Sequence, residues 1–264
     1  MPLIENTLSA SLEVLGCSGS MGSPGNGTSC YLLNDHVLID AGLGMNQLAT
    51  PALARIDAVF LTHSHLDHVC CLPFLVEARQ HFCDSPLKVY GLPTTIASIQ
   101  AHLFNDVIWP DFTRIPSADK PALEFVSFNA AVPLQISGIT ITAIEMNHSV
   151  PTLGYVLSSG NQRLALASDT YVCSSLGKTL SDFGCIDHLV IETSFANKHD
   201  ALSRLSMHLC PSLLEEQLKT LAGVKNVWVS YLKEWERLEI EKEIELLVSE
   251  FSLKMLKAGQ VIRF

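Results

Sequence analysis

The sequence predicts an α/β fold of four layers, an αββα sandwich, and two patterns carry that expectation. Short β-rich runs, most of them bounded by Gly, Pro, Asn or Asp, dominate residues 1–170. Helical patterns at 72–83, 94–106, 212–222 and 234–250 are placed to cover packed sheets from outside.

Taken in order, "SLEVLG", "HVLID", "DAVFLT", "LKVYG", "ITITAI", "RLALAS", "HLVIET" and "NVWVSY" read as strands. "DAVFLT" and "HLVIET" are continuously apolar, as strands buried on both faces are, whereas "ITITAIEMN" alternates like a half-solvated antiparallel strand. The last helix, 234–250, is expected to bury Trp235, Leu238, Leu246 and Leu247 as one stripe among exposed glutamates. No linker, repeat or low-complexity tract marks a boundary, so residues 1–264 read as one domain.

Composition narrows the function. With 264 residues and 48% hydrophobic content, the chain can bury one large core. Its 17 basic and 27 acidic side chains give a formal charge of -10, which repels a long polyanion and argues against extended nucleic acid as a partner. The start lacks a basic segment followed by an apolar one, and no apolar run is long enough for a bilayer. The expectation is a cytoplasmic protein without a membrane partner, and a homodimer is compatible with it. Eight cysteines at irregular spacings, Cys70 and Cys71 adjacent, suit small buried hydrophobes better than a disulfide framework.

The chemistry concentrates in "FLTHSHLDHVCCLPFL", where three histidines and an aspartate occupy six positions immediately after a buried strand. A loop at the carboxyl end of a strand is a common place for a site. His63 and His65 could reach one cation if the loop curls, while Asp67 and His68 could face a second. Imidazole nitrogen with carboxylate oxygen suits zinc, manganese or iron better than calcium. Elsewhere the residues leave two readings each. His148 in "EMNHSVP" ends a strand before Pro151, as a ligand or an ordinary loop histidine; Asp169 in "LALASDT" is a ligand or a turn cap. Asp40 in "LIDAG" either holds a ligand histidine by its second ring nitrogen or makes an Asx turn. Glu192 in "IETSF" has no assigned role. "SGSMGSPGNGTS" either lets backbone amides approach an anion or is a flexible connection. His208 in "SMHLCPSLL" precedes a Pro-initiated helix and is expected to be exposed near its N-terminus, as a phosphate contact or as surface decoration.

HxHxDH after an apolar strand resembles the metallo-β-lactamase fold superfamily. "LEVLGCSGSMGSPGNGTSCYLL", "VLIDAG", "HSHLDH", "ASDT", "IETSF" and "MHLCP" are together most similar to its class II cyclic nucleotide phosphodiesterase branch. The resemblance implies a metallo-β-lactamase-type sandwich and a metal site of His63, His65, Asp67, His68, His148 and Asp169, with Asp169 bridging two cations. It implies one or two Zn2+ ions, with Mn2+ or Fe as alternatives. Asp67 and His208 become catalytic residues, His208 beside the scissile phosphate to assist the departing oxygen. The implied partner is a small cyclic nucleotide, its 3′,5′ ring opened by attack on phosphorus. Three positions depart from the family pattern: Cys71 replaces a usual glycine, Cys210 a usual threonine, and Tyr231 the usual final histidine of the second metal. A neutral phenol is a poor zinc ligand, so Tyr231 is either a second-metal or a substrate contact. The alternatives are a hydrolase of another phosphodiester or ester, or a nucleotide-binding protein that keeps one metal and has lost turnover.

Overall fold

The structure, a computed structural model, describes residues 10–130, 132–247 and 250–264. The first half runs β1 (Ser11–Ser18), β2 (Gly27–Thr28), β3 (Cys30–Leu33), β4 (Val37–Ile39), α1 (Thr50–Leu53), β5 (Ala58–Phe60), α2 (Leu66–Val69), α3 (Leu72–Gln80), β6 (Leu87–Gly91), α4 (Pro93–His102), β7 (Pro116–Ser117), β8 (Lys120–Pro121) and β9 (Leu123–Ser127). The second half runs β10 (Leu134–Ile136), β11 (Ile139–Met146), β12 (Thr152–Ser159), β13 (Gln162–Ala167), α5 (Leu176–Asp182), β14 (Ile186–Glu192), α6 (Asp200–Ser206), α7 (Pro211–Leu218), β15 (Val224–Ser230), α8 (Arg237–Glu245), β16 (Leu253–Met255) and β17 (Val261–Arg263).

One sheet has the order β17-β1-β3-β4-β5-β6-β9, with β2 beside β1; the other runs β10 to β16 in chain order, and β7 pairs with β8. Local chemistry explains the hairpins. Asn34 and Asp35 take positive φ in the three-residue connection between β3 and β4, and Ser137 and Gly138 do so in the tight two-residue turn between β10 and β11. β5 lies between parallel β4 and β6, and β14 between parallel β13 and β15, matching their unbroken apolar runs. β11 is antiparallel to both neighbours and shows the expected alternation along its first half.

The two sheets face each other through Leu12, Leu33 and Phe60 on one side and Ile141, Tyr155 and Leu164 on the other. α3 and α4 cover the outer face of the first sheet with Leu72, Leu75 and Ile99. α7 and α8 cover the second with Leu214, Ile240 and Ile244. These are the four layers of the αββα sandwich. Among the described residues no helix is long and apolar enough to cross a membrane.

The stripe expected on the last helix is corrected. Trp235 and Leu238 are 72% and 73% exposed, Leu246 is also exposed, and Leu247 is only partly buried. The helix begins at Arg237 after a 3-10 turn, and Ile240 and Ile244 form the stripe that the sheet selects; of the four expected residues, Leu247 alone, just past the helix end, packs against that core. Residues 248–249 of the expected helix lie outside the described residues.

β4, β5, β11, β13, β14 and β15 all deliver their carboxyl ends to one edge, because β11 and β13 are each antiparallel to β12. The Tyr155 hydroxyl donates to the Leu61 carbonyl at 2.6 Å and the Leu153 amide to the Thr62 carbonyl at 2.9 Å. The sheets are thus joined where β5 opens into the histidine loop.

Candidate metal centre and substrate cavity

His63 follows β5 by three residues and is fully buried, and His65 directly precedes α2, whose first turn carries Asp67 and His68. His148 follows β11 and Asp169 follows β13. The structure brings one ligand atom each from His63, His65, His148 and Asp169 within 4.8 Å of one another. His63 Nε2 lies 3.8 Å from Asp169 Oδ2, and His148 Nε2 lies 3.3 Å from His65 Nδ1. His63 Nε2 and Asp169 Oδ2 are buried without a hydrogen-bond partner; the 3.3 Å approach of His68 Nε2 to that oxygen is an electrostatic contact without hydrogen-bond alignment. Leaving such atoms unpaired costs about 1–3 kcal/mol each, and one cation between them satisfies both, so the donor set fits a metal.

The electrostatics agree with that fit. Burial holds His63 well below the usual histidine range and pulls His65 down as well, His68 and His148 adding to the effect respectively, so both offer neutral nitrogens. Burial alone would raise Asp169, yet the neighbouring His68 and His63 keep its carboxyl well below the usual range.

A second group lies against the first through Asp169. His68 Nε2 is 3.3 Å from Asp169 Oδ2, 3.7 Å from Asp67 Oδ2 and 3.3 Å from the Tyr231 oxygen. The Tyr231 hydroxyl donates to Asp67 Oδ2 in a short hydrogen bond. Burial, then Asp169 and Asp67, push the phenol well above its usual range, so it keeps its proton. His68 Nδ1 is 2.7 Å from Asp40 Oδ2, and the Thr62 amide donates to Asp40 Oδ1 at 2.8 Å. Asp40 thereby turns Nε2 of His68 toward Asp67, Asp169 and Tyr231.

Three residues that are not glycine hold this arrangement from the left-handed region: Asp40 (φ 58°), Met207 (φ 59°) and Tyr231 (φ 65°). Met207 ends α6 and turns its carbonyl to His148 Nδ1 at 2.9 Å. Tyr231 is held by its amide, which donates to the Cys17 carbonyl at 2.8 Å, and by Gly19, where a Cβ would lie 2.2 Å from the Tyr231 carbonyl oxygen.

The expected exposure of His208 is corrected: it is only 8% exposed. Its Nδ1 lies 2.7 Å from Glu192 Oε1, and its ring stacks on Tyr231 with centroids 5.6 Å apart. Glu192 also accepts from the Thr170 amide and the Ser194 hydroxyl, both at 2.8 Å. A buried carboxylate below and a phenol beside it draw the imidazole inward. Burial would lower His208, but the Glu192 carboxylate overcomes that and holds it above the usual range. Of the departures, Cys71 packs in the core beneath the first sheet, Cys70 is the thiol that reaches the cavity, and Cys210 is buried at the start of α7.

Beside the cluster opens a cavity of about 550 Å³, reached by His65, Asp67, His208, Tyr231 and Lys233, with Trp235 and Met21 also on its wall. The glycine-serine loop contributes Gly19, Ser20, Met21 and Thr28 to it. Sequence reasoning missed Thr62, Met207 and Lys233. Thr62 ends a strand next to the motif and Lys233 follows the departing tyrosine by two residues, both findable signals; a methionine at positive φ leaves none.

A family model described as a beta-lactamase superfamily domain matches residues 35–229. A ribonuclease Z of Mycobacterium bovis is 28% identical over 166 residues, covering 58% of this chain and 59% of that protein. A 3′,5′-cyclic-nucleotide phosphodiesterase of Aliivibrio fischeri is 26% identical over 203 residues, covering 68% and 60%. The chain spans about three-fifths of the length of these curated relatives. Among solved structures, the metallo-beta-lactamase fold protein YhfI of Bacillus subtilis superimposes with a TM-score of 0.78 at 21% identity, covering 97% of this chain and 100% of that one. Unliganded yeast PDE1 gives 0.79 at 18%, covering 97% and 99%. At these identities the structures show a shared fold.

Proposed function

The chain belongs to the beta-lactamase superfamily, and from that membership we propose that it is a metal-dependent phosphodiesterase which opens a 3′,5′-cyclic nucleotide to the nucleoside monophosphate. The observation that carries this reading is the placement of the His63, His65, His148 and Asp169 cluster beside a cavity that also presents His208. These four residues would hold the first ion, and Asp67, His68 and Asp169 would offer a second position beside Tyr231. Zinc suits the nitrogen-rich set, with manganese or iron as competitors, and when bound supplies a Lewis acid that activates water and offsets charge growing on phosphorus.

The chain's own groups do the rest. Asp67 faces the cavity and orients the attacking water, while Asp40 keeps His68 turned inward. His208, with Nδ1 held by Glu192, presents Nε2 as the ring nitrogen free to give a proton. The attacking water passes a proton to the Asp67 carboxylate as its oxygen bonds to phosphorus, one phosphorus–oxygen bond of the ring breaks, and the departing sugar oxygen takes the proton from His208. A cavity of about 550 Å³ suits a mononucleotide, and the charge of -10 disfavours long RNA. The ribonuclease Z relatives favour RNA as the second reading.

The test is metal analysis of purified protein coupled to a panel of 3′,5′-cAMP, 3′,5′-cGMP, bis(p-nitrophenyl) phosphate and a short RNA. Cyclic nucleotide turnover lost on chelation supports the reading. RNA cleavage with inert cyclic nucleotides overturns it in favour of the second, and metal-loaded protein inert to the whole panel removes both.

A further inference from the structure

Tyr231, Lys233 and Trp235 follow β15 at every second position, the last within the 3-10 turn Glu234–Glu236, and all three line the cavity. The intervening residues are engaged elsewhere. Leu232 is buried in the outer core of the second sheet, and Glu234 accepts from Arg237 Nε at 3.0 Å. One short segment therefore lays a phenol, an ammonium and an indole along a single wall.

What distinguishes Lys233 is its surroundings: it lines the cavity, and among the described residues no carboxylate forms an ion pair with it. Its ammonium donates to the Gly19 carbonyl and lies 5.5 Å from the ring centroids of both Phe195 and Tyr231. Two ring faces and one carbonyl hold the charge in place and leave donors for an anion in the cavity. Trp235, 72% exposed, shares the cavity wall with Met21 at 83% and Leu66 at 69%. Three large apolar side chains left in water around one opening mark a surface that a ligand covers. A flat indole next to an adaptable methionine suits a planar ring.

We propose that this wall is a nucleoside-phosphate subsite, in which Lys233 grips a phosphate oxygen and Trp235 stacks on the nucleobase. The inference rests on the phosphodiesterase reading and deepens it: the substrate class is a phosphodiester carrying an aromatic base, and Trp235 is the residue that selects for that base. Lys233 binds every phosphate compound alike, because charge attraction does not read the base. Trp235 discriminates between compounds with and without a base, because every base offers a π-face.

Isothermal titration calorimetry on the metal-loaded full chain, with 5′-AMP and ribose 5-phosphate as probes, separates the two contributions. The parent should bind 5′-AMP about tenfold to a hundredfold more tightly, the usual worth of one stacked base. Trp235→Ala, at an exposed position that carries no core packing, should bring the two Kd values to within about twofold while leaving ribose 5-phosphate unchanged. Lys233→Met should weaken both probes by a common factor of about ten, and Lys233→Arg should restore most of that loss. Equal Kd values in the parent, an undiminished preference in Trp235→Ala, or no detectable binding of either probe at millimolar concentration overturns the subsite. If the preference holds and the substrate panel stays inert, the subsite stands and the phosphodiesterase reading fails. If the panel turns over and the preference is missing, the reverse is true.

Discussion

The Tyr231 hydroxyl donates to the Asp67 carboxylate and lies 3.3 Å from His68 Nε2, so the end of β15 is latched onto the loop that follows β5. The phenol thus occupies hydrogen-bonding positions that a second cation would claim from Asp67 and His68. It is a weak donor to a metal while it keeps its proton.

Tyr231→His should therefore change metal content. Apo protein reloaded with zinc and analysed by mass spectrometry should hold close to one equivalent in the parent and close to two in the variant. Imidazole binds as the neutral base abundant at pH 7, and histidine tolerates the positive φ of this position better than most residues. Unchanged stoichiometry in the variant would mean that another group completes the second position, or that only one ion binds.

The first position should be independent of Tyr231. A His63→Ala, His65→Ala double variant should purify without bound metal, and chelating the parent should lower its Tm, since binding to the folded state alone stabilises it. Full metal retention in the double variant would sink the assignment of the His63, His65, His148 and Asp169 cluster.

Asp40→Asn tests the hold on His68 without disturbing the backbone, because asparagine also accepts the left-handed conformation observed at φ 58°. Introduced into the Tyr231→His variant, which is expected to hold two ions, the loss of the carboxylate that fixes His68 should weaken the second zinc equivalent about 10–100-fold while sparing the first, read by competition with a chromophoric chelator. Equal weakening of both equivalents would show that Asp40 supports the whole loop and not His68 alone.

His208→Ala should reduce kcat by about 10² to 10⁴ fold with metal content unchanged, the range expected for a positioned acid. Its partner gives a separate test. Burial lowers the imidazole pKa while Glu192 and the more distant Asp169 raise it against Lys233, and the balance lies above the usual value. A raised pKa means that the protonated pair contributes fully below the unfolded value and is lost as pH rises through the folded one. Glu192→Gln should accordingly move the alkaline limb of kcat/KM to lower pH, and an unmoved limb would remove His208 as its source.

The sequence by itself determined the layers and the first half of the site. Buried parallel strands are continuously apolar and solvated ones alternate, so "DAVFLT", "HLVIET" and "ITITAIEMN" announced their environments, and HxHxDH places its candidate ligands within one loop of six residues. Only the tertiary structure decided what depends on strands meeting across long stretches of chain. Parallel register sets Glu192 beside Ser230 at the common edge, and from there Glu192 reaches back to His208 and draws a ring expected at the surface into the interior. The carbonyl of Met207 finds His148 through a backbone conformation that a methionine does not advertise. Trp235 is the sharpest case. Its spacing to Leu238 and Leu246 suited a buried helical face, but a 3-10 turn before Arg237 and the fit of Ile240 and Ile244 against the sheet left the indole outside, on the cavity wall. Periodicity states that a helix has an apolar face; which of two stripes is buried depends on the surface it meets, and that surface exists only once the sheets have formed.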